Sequence, residues 1–111
     1  MFAFEIPGLR YSLTAAQAIE RHRFVSVNAD SNGITATAAT PVVGVSTNKV
    51  DANQVLEVSD GIVIVEAGEA ITAGAAVASN ATGQAVAATD EAVGVALTGA
   101  SAAGELITVK L

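Results

Sequence analysis

Residues 66–111 read EAGEAITAGAAVASNATGQAVAATDEAVGVALTGASAAGELITVKL. Short runs of Val, Ile and Ala are cut about every eight to twelve residues by Gly, Asn, Asp or Ser, the spacing of short strands joined by tight turns. The stretch holds no cysteine, no histidine and a single lysine, Lys110. It reads as scaffold, with no reaction centre in it.

The same rhythm runs through the whole body of the chain. Gly74, Gly83, Gly99 and Gly104 mark bends between strands expected at 75–79, 84–88, 92–97 and 105–111. Residues 54–59 and 61–66 flank Asp60-Gly61, a two-residue hairpin signal. Residues 23–29 and 34–38 flank Asp30-Ser31-Asn32-Gly33, which reads as a turn because Asx side chains bond the local backbone. Pro41 precedes a strand at 42–46, and a polar loop fills 47–53. Only residues 13–20 suggest a helix: Thr14 and Gln17 have capping-box spacing and the alanines favour the form. Leu13 and Ile19 would face the body.

A faint repeat appears at an offset of 50: Gly33 with Gly83, Ala38 with Ala88, Val43-Gly44-Val45 with Val93-Gly94-Val95, Ala52 with Ala102, and Leu56 with Leu106. The expected fold is therefore all-β, a small antiparallel barrel or sandwich of two similar β units. The Val-Gly-Val segments mark places where strands approach too closely for a side chain.

The first eleven residues, MFAFEIPGLRY, form an extended N-terminal arm ahead of a single β-rich domain at 12–111. Phe2, Phe4 and Ile6 fall on one side of an extended chain before Pro7-Gly8 interrupts it. Three of the four aromatics are here, so the arm must lie on its own body, on a neighbouring subunit or on another protein. Phe2, Phe4, Ile6, Arg10 and Tyr11 are the candidate contact residues.

Composition narrows the function classes. The 111 residues suit one domain, and 24 alanines and 15 valines against four aromatics imply a thin core that leans on subunit contacts. Net charge is −6, which opposes a nucleic-acid partner. The balance is +1 over residues 1–23 and −7 over 24–111. No apolar run is long enough for a membrane helix, and the N-terminus has no secretory pattern, so synthesis in a host cytoplasm is expected.

Candidate chemistry is sparse. His22, the single histidine, lies between Arg21 and Arg23, which disfavour its charged form, and no nucleophile elbow accompanies it; it reads as a surface or subunit-contact residue. Glu66/Glu69 and Asp90/Glu91 read as solvated turn acids. Residues 30–33 lack the remaining ligands of a calcium loop, and zinc spacing is missing. Lys49 lacks the flanking residues of a lipoyl or biotinyl site. The expectation is a non-enzyme with no metal and no cofactor.

In order, LRYSLTAAQAIERHRFV at 9–25, TPVVGVSTNKVDANQ at 40–54, GIVIVEAGEAITAGAAV at 61–77, AVGVAL at 92–97 and ASAAGELITVKL at 100–111 resemble the small capsid decoration, or cement, proteins of tailed bacteriophages. The order and spacing carry the resemblance, since each motif alone is only Gly, Ala and Val. It implies a virion protein on the outer capsid surface, a homotrimer that binds the major capsid protein of the phage head and stabilises the shell, without catalytic residues. The rival reading is a small carbohydrate- or host-surface-binding β module.

Overall fold

The computed structural model describes residues 3–111. Among the described residues the chain is all-β and antiparallel, with nine strands and no helix. They are β1 (Ile6–Thr14), β2 (Phe24–Val27), β3 (Gly33–Thr35), β4 (Gly44–Ser46), β5 (Val55–Glu66), β6 (Ala76–Ser79), β7 (Ala85–Ala87), β8 (Gly94–Ala96) and β9 (Leu106–Lys110). One sheet runs β3-β2-β4-β5-β9-β8-β6-β7, with β1 also on β5. The twelve-residue β5 is the spine: β1 and β4 pair with its first part, and β9 pairs with Ile62–Glu66. Parallel bridges Ala15–Gly33 and Ala67–Ala85 draw the outer strands back toward the spine, so the sheet curls into a half-barrel.

Two buried clusters line the curl. Ala15, Ile19, Val25, Val50, Leu56 and Val58 form one, with Tyr11, Leu13 and Val43 against it. The larger one gathers Val63, Val65, Ile71, Val77, Ile107 and Val109 from the C-terminal half with Phe24, Ala36 and Val45 from the N-terminal half. Phe24 is fully buried and is the largest side chain in either cluster. Around it the small residues allow the close sheet packing that the alanine-rich composition implies.

The two expected β units do not stand as separate layers of a sandwich, because β5 belongs to both and the sheet is continuous. Gly33 and Gly83, the first pair of the offset of 50, also differ: Gly33 is buried in β3, whereas Gly83 forms a turn at φ +77. The Val-Gly-Val segments do mark close approach. A Cβ on Gly44 would sit 2.5 Å from Val58 Cγ1, and one on Gly94 would sit 2.5 Å from the Lys110 carbonyl.

The helix expected at 13–20 is not formed. Leu13 and Thr14 finish β1 opposite Leu56 and Val55. Beyond them the Ala15 N–H donates to Gln54 O, Ala16 N–H to Gly33 O and Ile19 N–H to Val50 O. Each donor finds a distant acceptor, and two isolated helical turns cannot compete with that. Ala15 and Ile19, four apart and both buried, imitate a helical period while bridging different strands.

The hairpin expected at Asp60-Gly61 is absent too. β5 continues through both residues, with Asp60 opposite Leu9 and Gly61 opposite Pro7. Gly8 is the extra residue of a bulge in β1. Gly61 takes φ +100, and a Cβ there would strike the Gly8 backbone. The glycine serves a close crossing with β1, and the ladders of β1 and β4 leave the chain no freedom to turn.

Candidate functional site

The N-terminal segment joins the body's own sheet yet keeps apolar side chains outside. The Phe4 N–H donates to Thr108 Oγ1 at 2.6 Å, and the Thr108 hydroxyl donates to Phe4 O at 2.7 Å. Thr108 is fully buried, so its hydroxyl clamps the arm's backbone at the spine's neighbour β9. The Phe4 side chain is nonetheless 40% exposed, Ile6 62% and Leu9 59%. A pinned backbone with three large apolar side chains in solvent suits a contact surface, because little further ordering is needed on binding. Phe2 lies outside the described residues.

Arg10 and Tyr11 go separate ways. The Arg10 guanidinium bonds Glu57 and Glu5, each at 2.8 Å, across a well-exposed face of β1. The Glu57 hydrogen bond is the chief cause that raises its pKa above the ordinary value. Exposed pairs of this kind add little stability, so the network mainly orders the surface. The Tyr11 ring packs against the smaller cluster, and its hydroxyl donates to Val43 O at 2.7 Å. Burial, and then the Asp60 charge, raise the Tyr11 pKa. Tyr11 thus faces the interior, while Phe4, Ile6 and Arg10 remain at the surface.

Beside the Arg10 network lies a polar cleft of about 220 Å³, lined by Glu5, Arg10, Arg21, His22, Glu57 and Ser59 among others. His22 sits in the left-handed region at φ 63 and is half-buried. Burial, then Arg21, lower its pKa, against the opposing effect of a hydrogen bond with the Ile64 backbone. The side chain therefore stands neutral above its ordinary titration range. Ser59 is buried and its hydroxyl has no protein partner. Sequence reasoning passed over Ser59, since a strand serine carries no signal until its cover is known. The carboxylates of the cleft are engaged by Arg10, which leaves a hydrogen-bonding surface.

The other candidates lie apart, and Glu66, expected as a solvated turn acid, instead ends β5 half-buried. Glu66 accepts from Arg23 Nη2 at 2.8 Å and from Gln84 Nε2 at 2.5 Å. Glu69 Oε2 instead accepts the Ala87 N–H at 3.0 Å, so the two glutamates have separate partners. Asp90 and Glu91 are exposed. At the turn expected at 30–33, Asn28 Oδ1 accepts the N–H groups of Asp30 and Asn32. Among the described residues no group of three or more His, Cys, Asp or Glu could hold a metal ion. Lys49 reaches Glu20 at 3.6 Å on the surface. Arg23 escaped sequence reasoning: besides Glu66 it donates to Thr82 O at 3.1 Å and ties the two ends of the sheet together.

Comparison with known proteins adds identity to this geometry. No curated protein sequence matches the chain. The fold is similar to the crystal structure of the head fiber gp8.5 N base of bacteriophage phi29, with TM-score 0.78 over 93% of this chain and 92% of that one, at 22% sequence identity. The family model described as phage cement protein matches residues 5–111. That match spans β1 through β9 and the surfaces just described, and the chain belongs to the phage cement protein family.

Proposed function

We propose that this protein binds the outer surface of an assembled phage head as a homotrimer and reinforces the shell, doing no catalysis. The observation that carries this reading is the clamped N-terminal segment with Phe4, Ile6 and Leu9 turned to solvent. Family membership supports the setting, and the fold likeness to the phi29 head fiber base agrees with it. Major capsid protein subunits at a shell seam are the proposed partner.

Full burial of a large apolar side chain contributes about 1.5–3 kcal/mol. These three are already partly covered, so one segment binds modestly. Three linked copies raise avidity by about 10²–10⁴ without any new contact. A ligand that binds only the assembled shell stabilises that state by mass action. The Arg10 network and the polar cleft beside it supply hydrogen-bonding groups around the apolar strip.

The test is co-sedimentation with expanded heads of the wild type and of a variant carrying Phe4→Ser, Ile6→Ser and Leu9→Ser. Head binding should fall at least tenfold while the thermal transition in solution changes little. Undiminished binding by the folded variant would remove this segment from the mechanism.

A further inference from the structure

We infer that a second copy of this chain docks, head to tail, on the outer face of β6 and β8, using the Asn28–Asn32 side of its own N-terminal half. The inference deepens the proposed homo-oligomer by naming its interface, and it rests on that reading for the partner's identity.

The ground is a recurrence in the hydrogen bonding that the sequence offset only grazed. Asn28 Oδ1 accepts from the N–H groups of Asp30 and Asn32, and Asn80 Oδ1 accepts from those of Thr82 and Gln84. Asn28 N–H donates to Asn32 O and Asn80 N–H to Gln84 O, both at 2.9 Å. Ser31 has φ 65 where Gly83 has φ 77. Bridge Ala15–Gly33 recurs as Ala67–Ala85, and Ile19–Val50 recurs as Ile71–Ala100. Val43 N–H donates to Val25 O, and Val93 N–H to Val77 O, both at 2.8 Å. The offset is 52 before the loop at 37–41 and 50 just after it, so a fixed offset of 50 misaligns the first part.

Within the chain, the N-terminal copy is seated on the C-terminal one. Phe24 N–H donates to Gly83 O at 2.7 Å, inside the second of the two matching turns. Phe24, Ala36 and Val45 are buried in the larger cluster, and Val42 packs on it. The counterparts of these four in the C-terminal copy are Ala76, Ala88, Val95 and Ala92. Ala76 and Ala92 are exposed, Ala88 is half-buried, Val95 is 43% exposed, and nearby Leu97 is 37% exposed. The counterpart of the receiving turn is equally open: Ala29, Asp30 and Ser31 are exposed, and Val27 beside them is 38% exposed.

The chain therefore carries one inserting face and one receiving turn at opposite ends of the repeat. Their counterparts are already joined to each other inside the molecule. A second copy is the partner that supplies the missing half of both. The contact pairs two different surfaces, so it is heterologous and closes into a ring when the rotation per copy permits. Ala76 replaces the Phe24 ring, which makes the contact between copies shallower than the one within the chain.

The test uses the full chain and sedimentation equilibrium over a wide range of concentration. Wild type should reach a multiple of its 11.0 kDa chain mass. Val95→Asp, which damages the inserting face, and Val27→Asp, which damages the receiving side, should each fall to the single-chain mass. An equimolar mixture of the two should give a two-chain species, because one sound interface remains between them. A wild type that stays at single-chain mass, variants that keep the wild-type mass, or a mixture with no two-chain species each overturn the inference. Should either variant fail to fold by circular dichroism, hydrogen exchange of the wild type decides. Amides at 28–32 and 94–97 should slow as concentration rises, and exchange independent of concentration overturns the inference. Head co-sedimentation is scored separately: an oligomer with sound interfaces that ignores heads refutes the capsid reading alone.

Discussion

Gly61 lies at φ +100 in the middle of the longest strand, against the Gly8 backbone. Backbone strain in such a region costs about 1–3 kcal/mol for a residue with a Cβ, and here the added atom also meets main chain. Gly61→Ala should therefore lower stability by at least about 2 kcal/mol. A urea titration would show it as a lower midpoint. His22 gives a prediction in pH. Its folded pKa is depressed below 6.5 by burial and then by Arg21, with the Ile64 backbone hydrogen bond and then Glu5 and Glu66 opposing. The unfolded chain then binds the proton more readily, so the stability from a neutral His22 is full above 6.5 and falls as pH drops through that value toward the folded pKa. His22→Asn keeps a side chain that tolerates φ 63 and removes the titration. The variant should lose less stability than wild type over that acid range, measured by denaturation at a series of pH values. At this scale the sequence was readable in part at the turn expected at 30–33: a turn forms there, but the side chain that bonds it is Asn28, and the positive φ falls on Ser31 while Gly33 opens β3. It was not readable at Gly61, because the residue that demands a glycine there is Gly8, far away in the chain.

β4 and β8 are three-residue strands pressed onto β5 and β9 through Gly44 and Gly94. A methyl group there has no room, and overpacking costs about 1–3 kcal/mol. Gly44→Ala and Gly94→Ala should each destabilise by about that amount, read from thermal or urea unfolding, whereas Ala16→Ser on the exposed bend should be near neutral within about 0.5 kcal/mol. The Val-Gly-Val spacing announced this approach, since Gly between two valines in a strand has few other uses. The helix at 13–20 shows the limit of the same kind of reading. Its alanines and its Thr14/Gln17 spacing are sound local signals. They lose to a nine-residue strand whose partner begins at residue 55.

Across the molecule, Phe24 joins the two ends of the sheet. It leaves from β2 in the N-terminal half and fills the cluster built on β5, β6 and β9. Phe24→Ala should cost about 3–5 kcal/mol, the range for a buried aromatic, and the loss shows as a large fall in the unfolding midpoint. If the head-to-tail contact repeats this packing without the ring, the Phe24→Ala chain should still associate at temperatures where it remains folded. Association is then measured by the same sedimentation experiment. The N-terminal surface belongs to this scale as well. Phe4 and Ile6 were legible as an apolar segment without a core of its own, but Tyr11, one residue beyond Arg10, turned inward to Val43.

The sequence by itself determined the strand class, the turn near residue 30, the close approach at Val-Gly-Val, the core of small side chains and the family resemblance, because each depends on residues near one another or on their order along the chain. Tertiary structure alone decided that Asp60-Gly61 runs straight, that residues 13–14 complete a strand, and that Val95 and Leu97 stay uncovered while Val45 is buried. Those outcomes depend on which distant strand supplies the hydrogen bonds and which surface lies over a side chain. A pairing partner tens of residues away leaves no mark in the local pattern.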